Sequence, residues 1–419
     1  MTPEIKHRIE QIQNGNIPDG YKKLNISNYI VPTDWSEIHM DNLFKRLTRK
    51  NTVRNTNVLT ISAQHGLINQ QDFFNKTVAS EDKSNYFLLQ KGDFAYNKSY
   101  STGYPFGAVK VLEKYESGIV SPLYICFEKT EKNKCSDYYL HYFEGGFANR
   151  EIRAFAQEGA RNHGLLNIAT EDFFNMSLVF PSLPEQLKIS KILSTQDKVI
   201  ALKQNLLQEK KKQKKFLMQK LLGADGASFM LDDVKIDKSK WKKEKLGNVC
   251  IFLDSKRKPV RFNERCKGKY PYYGASGIID YVDDYIFDGE YVLLGEDGAN
   301  IIFRSSPLAF KVSGKMWINN HAHVLQLKEN YDIDYITNYL ESLDYEKYNS
   351  GTAQPKLNQE VCESIIILIP SLPEQQVIAK VLSAADKEIE LLQKSIEQEK
   401  QKKKALMQLL LTGIVRVKI

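Results

Sequence analysis

Three absences narrow the field at once: the chain has no G-x-x-x-x-G-K-[ST] loop, no C-x-x-C pair and no apolar run of 18 residues. Without the first there is no phosphate-loop motor. Without the second the common zinc and dithiol signatures are missing. The third leaves no predicted membrane span. Cysteine is sparse. Cys126, Cys135, Cys250, Cys266 and Cys362 are odd in number and scattered, as expected of reduced structural thiols in a cytoplasmic protein. The opening MTPEIKHRIEQ lacks the apolar core of a signal peptide, so secretion is not expected. GEDGAN (Gly295–Asn300) carries glycines without the G-x-G-x-x-G spacing and is expected to be a turn. His321 and His323 would share a face of a strand, but no third ligand stands at a telling distance, so no metal is assigned. Carboxylate and lysine triplets of the nuclease kind occur throughout a chain that is 26% charged, and none is assigned as catalytic.

What is present is size, a mild positive charge and a repeat. A length of 419 residues with 42% hydrophobic residues suits about two or three domains with real cores. Lys plus Arg exceed Asp plus Glu by 59 to 51, giving +8, a balance that favours polyanionic partners. PSLPEQ occurs at Pro181–Gln186 and again at Pro370–Gln375, 189 residues on. Residues 181–222 and 370–411 agree at 23 of 42 positions without a gap.

Each copy predicts one long helix. Ser182 with Glu185, and Ser371 with Glu374, fit a capping box, and Pro184 and Pro373 fall in the first turn, where proline is tolerated. Gly223 and Gly413 are the expected stops. The second copy spaces Ile378, Leu382, Ala385, Ile389, Leu392 and Ile396 by alternating threes and fours, a coiled-coil seam that resumes at Leu406 and Leu410. The first copy follows with Ile189, Leu193, Ile200, Leu207, Leu217 and Leu221, interrupted by Gln196, Lys203, Lys210 and Lys214. Each helix needs a partner, and the other copy is the nearest candidate. At 1.5 Å per residue, roughly 38 residues make a rod of about 57 Å.

The stretches between the copies are rich in Tyr, Phe, Gly and Asn, with short apolar runs broken by turn residues. Their edges correspond: Trp35 and Trp241 open them, and Leu166-Asn167 and Leu357-Asn358 precede the strand that leads into each PSLPEQ. Their interiors barely align. The expected fold is α+β: two strand-rich globular modules of mixed structure separated by two long antiparallel coiled-coil helices, an internal pseudo-twofold repeat. The expected boundaries are 1–19 (helical segment), 20–180 (first module), 181–223 (first long helix), 224–239 (linker), 240–369 (second module), 370–413 (second long helix) and 414–419 (tail). A repeated frame holding unlike fillings suits the reading of two different things a set distance apart, and an asymmetric bipartite DNA sequence is the natural candidate.

This layout resembles the specificity subunit of type I DNA restriction–modification systems. SLPEQ opening a helix, the L-S-x-x-D-K stretch and the LMQ-L-L exit each occur twice, and the closing TGIVRVK is similar too. Within the modules, Gly92–Lys110, Gly118–Phe127, Tyr270–Gly298 and Lys315–Leu325 are similar to target-recognition segments of that family. The resemblance implies a chain with no catalysis and no cofactor of its own. It would bind double-stranded DNA, two methyltransferase subunits to modify adenine, and motor–nuclease subunits to restrict. Those partners would use S-adenosylmethionine, ATP and magnesium. Consistently, the N-P-P-Y or D-P-P-Y tetrapeptide expected of the methyltransferase partner is absent here.

Phosphate anchoring asks for cations, and base reading asks for side chains with defined donors and acceptors. Lys45, Arg46, Arg49, Lys50 and Arg54 follow the first tryptophan; Lys256, Arg257, Lys258 and Arg261 follow the second at a comparable distance. Candidate base readers are Gln64, His65, Asn97, Lys98, Tyr100, Ser101 and Tyr104 in the first module. In the second they are Tyr272, Tyr273, Ser276, Glu296, Asp297, Asn319, Asn320 and His321. The competing reading is that the tyrosines are core and the polar residues form turns. The lysine runs at Lys210–Lys215 and Lys400–Lys404 read as solvated helix faces or as phosphate contacts. Glu185, Gln186, Glu374 and Gln375, placed at frayed helix ends, are candidates for docking partner subunits. A stand-alone site-specific DNA nuclease and a protein-only coiled-coil scaffold are the alternative functions.

Overall fold

The computed structural model describes residues 2–25, 28–62, 66–71, 82–101, 103–130, 134–158, 166–351 and 354–418. The chain forms two compact units. One comprises Met1–Leu202 with Ile396–Ile419, the other Lys203–Ser395. The division cuts through the long helices rather than falling at their ends, because each helix buries one half of its seam in each unit. The first long helix runs Leu183–Leu222 and the second Leu372–Leu410.

In the first unit, helix α1 (Pro3–Gln13) precedes strand β1 (Ser36–His39), which begins one residue after Trp35. Strands β2 (Phe44–Arg46), β3 (Phe94–Asn97), β4 (Ala108–Val111) and β5 (Ile125–Lys129) make an antiparallel sheet in the order β2-β5-β3-β4. Its face is aromatic: Phe94 stacks on Phe127 at 5.3 Å, and Phe44 meets both edge-on. Helix α2 (Ser136–Glu144) covers this face with Tyr138, Tyr139, Tyr142 and Phe143. Strand β6 (Ser177–Phe180) pairs with β1 and leads into the first long helix.

The second unit begins after its helix half with the hairpin of β7 (Ser228–Leu231) and β8 (Val234–Asp237). Strand β9 (Lys242–Lys245) starts one residue after Trp241. Strands β10 (Cys250–Phe252), β11 (Lys267–Gly274), β12 (Gly277–Val282), β13 (Phe287–Gly295), β14 (Ala309–Ile318) and β15 (Ala322–Leu327) form a sheet in the order β10-β15-β13-β14-β11-β12. Only β11 and β14 run parallel within it. Helix α3 (Ile333–Ser342) packs on it, capped by Asp332, and strand β16 (Ile366–Ile369) pairs with β9 before the second long helix. The fold class is thus the α+β arrangement read from the sequence.

The seam interruptions are explained by the facing helix, and the register is antiparallel. In the first unit, Gln196 donates to Glu399 (2.6 Å) and Lys403 pairs with Asp197 (2.6 Å). In the second, Lys203 reaches Ser395, Lys210 pairs with Glu388 (2.7 Å) and Lys214 with Asp386 (2.6 Å). Lys210 and Lys214 are therefore seam residues rather than part of an outward lysine face. The exposed members of that run are Lys211, Lys212 and Lys215.

Candidate nucleic-acid interface

The same contact sits at the root of both units. Trp35 Nε1 donates to Glu185 (3.2 Å) and Trp241 Nε1 donates to Glu374 (3.3 Å). The carboxylate at the head of each long helix thereby locks the strand that begins its module. Glu185 is fully buried and also takes Arg416, which holds Asp34 with its other edge. Glu374 instead receives the Asp237 amide (2.9 Å), the Ser371 amide (2.9 Å) and the Ser371 hydroxyl (2.7 Å). Burial pushes the Glu374 carboxyl up, but these donors outweigh it and hold the group below its ordinary value. Gln186 bonds Pro181 O, and Gln375 bonds Pro370 O and the Asp332 amide. All four side chains proposed for partner docking are therefore buried and bonded within the chain, and they hold the modules rather than present a surface. A capping box suggests an exposed helix end; packing of the module against that end reverses the expectation.

In the first unit the cations divide. Lys45 and Arg46 are exposed on β2, an edge strand, and Arg54 is exposed in the left-handed region at φ 53°. Arg49 is committed to the fold: it pairs with Asp93 (2.6 Å) and donates to Leu88 O. Lys50 bonds Asn85 O and lies 4.4 Å over the Phe87 ring. The loop between β3 and β4 carries the candidate readers. It closes because Gly107, at φ +79°, brings its Cα against Asn97 O, where a Cβ would lie 2.1 Å away. Asn97 caps Ser99, and Ser101 and Tyr104 bond each other's backbones. Tyr100 projects at the loop's edge, exposed. Tyr104 does not project: its hydroxyl donates to Glu144 on α2 (2.5 Å), which Lys110 also holds (2.6 Å). Burial lowers the Lys98 ammonium below its usual value, and its carbonyl accepts Leu166 N. Gln64 and His65 lie outside the described residues.

The second unit brings half of its candidates into one cluster. Arg257 donates to Glu296 (2.6 Å), lies 3.3 Å from Asp254, and bonds the carbonyls of Asn320 and Ala322. Asp297 pairs with His321 (2.8 Å), and buried Asn319 accepts the His321 amide. His323 is buried on β15, with Nδ1 at 2.5 Å from Asp254 and Nε2 at 2.9 Å from Leu357 O. Both nitrogens face acceptors, so both carry protons and the ring is an imidazolium. Burial alone would lower its pKa; the Asp254 carboxylate and the adjoining Cys362 thiol raise it to about 10. Asp254, Glu296 and His323 offer ligand atoms within 4.8 Å of one another, a spacing that fits a metal ion. Those atoms are already taken by two protein cations, the guanidinium of Arg257 and the imidazolium itself, so the donor set does not fit one.

Arg257 is accordingly a strut, not a phosphate anchor, while Lys256, Lys258 and Arg261 are exposed. Tyr272 is core, its hydroxyl accepting the Val260 amide, and Tyr273 is half-buried with its carbonyl on Asn319 N. Ser276 and Asn320 are exposed at the tips of their turns. GEDGAN forms the expected turn, followed by a short helix Asn300–Phe303. Sequence reasoning missed Asp254, Lys356 (3.4 Å from Glu296) and Glu144. The available signal was His323, a titratable side chain between apolar neighbours at the start of β15.

These frames and their unlike fillings describe a tandem recognition protein. The profile of the family described as type I restriction modification DNA specificity domain matches residues 32–211 and 238–401. The chain belongs to that family, and as such it is a DNA-specificity component rather than a catalytic chain. It is similar to a putative type I restriction enzyme specificity subunit of Haemophilus influenzae, 37% identical over 139 residues, covering 33% of this chain and 36% of that protein. A putative MjaX specificity subunit of Methanocaldococcus jannaschii is 24% identical, covering 96% of this chain and 97% of the other. The solved S subunit of a type I system from M. genitalium shares the fold, with a TM-score of 0.56, 17% identity, and coverage of 95% and 99%.

Proposed function

We propose that each unit reads one half of an asymmetric, split DNA sequence and that the paired long helices set the interval between the halves. In this reading the helices also dock two methyltransferase subunits, so that the complex methylates adenine, and motor–nuclease subunits join to restrict unmodified DNA. S-adenosylmethionine, ATP and magnesium belong to those partners. In this reading the complex works in the cytoplasm, where those partners and the DNA meet. No described helix is long and apolar enough to cross a membrane. The observation that carries the reading is the repeated root, tryptophan on glutamate, beneath two dissimilar sets of exposed polar and cationic side chains. For docking, exposed apolar residues on the helices, Leu202, Leu206, Phe216 and Leu391, are better placed than the buried glutamates.

Methylation-aware sequencing of DNA from cells making this chain with its methyltransferase partner tests the proposal. Modified adenines at one bipartite motif are expected. Their absence, or a continuous motif, counts against it. Cleavage of DNA by the purified chain with magnesium alone would favour the nuclease alternative instead.

A further inference from the structure

Phe262 is 82% exposed, the most of any large apolar side chain among the described residues. Its neighbourhood is built rather than loose. Trp317 Nε1 bonds Lys258 O (2.6 Å), pinning one end of the loop to β14. At the other end, Arg265 donates to Val260 O (3.1 Å), pairs with Asp280 on β12 (3.2 Å) and lies 4.5 Å over the buried Tyr272 ring. Tyr272 in turn holds the Val260 amide. A single 3-10 turn, Phe262–Glu264, then presents the phenyl ring outward. The pinned ends fix the backbone that carries the ring, which lowers the entropy cost of presenting it, and the Arg265 guanidinium lies 5.8 Å from the ring centre.

The surroundings select the occupant. Residues 256–269 contain Lys256, Arg257, Lys258, Arg261, Arg265, Lys267 and Lys269 against one acid, Glu264. Arg257 and Arg265 are committed to the fold, and the other five cations are exposed. An apolar pocket on a protein would not call for this much positive charge around one phenyl ring. A duplex does: its phosphates take the cations, and its interior is the apolar stack. We infer that Phe262 is a wedge that enters a base step of the DNA held by the second unit, unstacking it locally. Aromatic and aliphatic wedges act in this way where cations hold the flanking backbone. The inference rests on the DNA-reading function proposed above and specifies how one half is engaged.

The test uses the full-length chain and duplexes carrying its mapped split motif, with 2-aminopurine placed in turn at each step of the half read by the second unit. Wild type should raise the fluorescence at one step. F262A should abolish that rise and weaken binding about tenfold, within the range for loss of one base–aromatic stack. F262W should restore both, with its indole emission quenched on the same duplex. The exposed position predicts an unchanged unfolding midpoint for F262A, which checks folding. Specific binding with no rise at any step would overturn the wedge and leave DNA reading intact. Normal fluorescence in F262A together with loss of methyltransferase co-purification would overturn it in favour of protein docking. Failure of wild type to bind any duplex would strike the underlying function itself.

Discussion

The carboxylates at the heads of the two long helices occupy the same place in a repeated sequence and are satisfied by opposite means. Glu185 is neutralised by a guanidinium, Arg416, supplied from 231 residues away. Glu374 is satisfied by neutral dipoles: the Ser371 amide and hydroxyl from its own helix end, and the Asp237 amide and Trp241 indole from the module. Duplication preserved the root contact and let the charge accounting diverge. The first unit therefore depends on the tail after the second helix, while the second is closed by the β7–β8 hairpin that ends at Asp237.

The largest expected effect follows directly. R416A strands a buried charge and should destabilise the first unit by about 3 kcal/mol, seen as faster hydrogen exchange in β1 and β6 but not in β9 and β16. E185Q added to R416A should recover much of the loss. Equal loosening of both units would break the comparison. Next, H323A removes the cation shared by Asp254 and Leu357 O and should cost about 2 kcal/mol. Its effect should fall on recognition by the second unit, measured as discrimination against changes in that half of the motif.

Opposite pH dependences sharpen the contrast. His323 in the second unit is raised to about 10, so its contribution is complete below its ordinary value of about 6.5 and disappears as pH climbs through about 10. His141 in the first unit is lowered, by burial first and then by Lys403, with Asp197, Asp137 and Glu144 opposing. Its contribution is present above about 6.5 and is lost as pH falls. Hydrogen exchange across a pH series should show alkaline loosening of the second unit and acid loosening around α2 of the first, with H323Q flattening only the former. Smallest of all, K256A and R261A should each reduce the salt slope of DNA binding by about one while leaving sequence preference unchanged.

Much of the frame was legible in the sequence. The threes and fours of Ile378 through Ile396 encode a helix that needs a partner, and Trp35 and Trp241 mark where each module begins. The candidate site was less legible, because charge pairing across long separations has no sequence period. Nothing in FKRLTRK distinguishes Arg49, which answers Asp93, from Arg46, which is exposed. Asp254 stands 69 residues before His323 and reads there as one more polar residue in a basic loop. Glu185 and Gln186 fit an exposed cap in every local respect, and only the packed module around them buries them. Nothing in the sequence singled out Phe262, whose exposure comes from the pinned loop that carries it.

The central claim is that the two units read independently. It is tested most directly by mapping modified adenines in cells whose specificity chain carries N97A in one experiment and N320A in the other. The account predicts that N97A blurs one half of the split motif, N320A blurs the other, and the interval between them stays fixed. Both halves blurring together under either single change would contradict it.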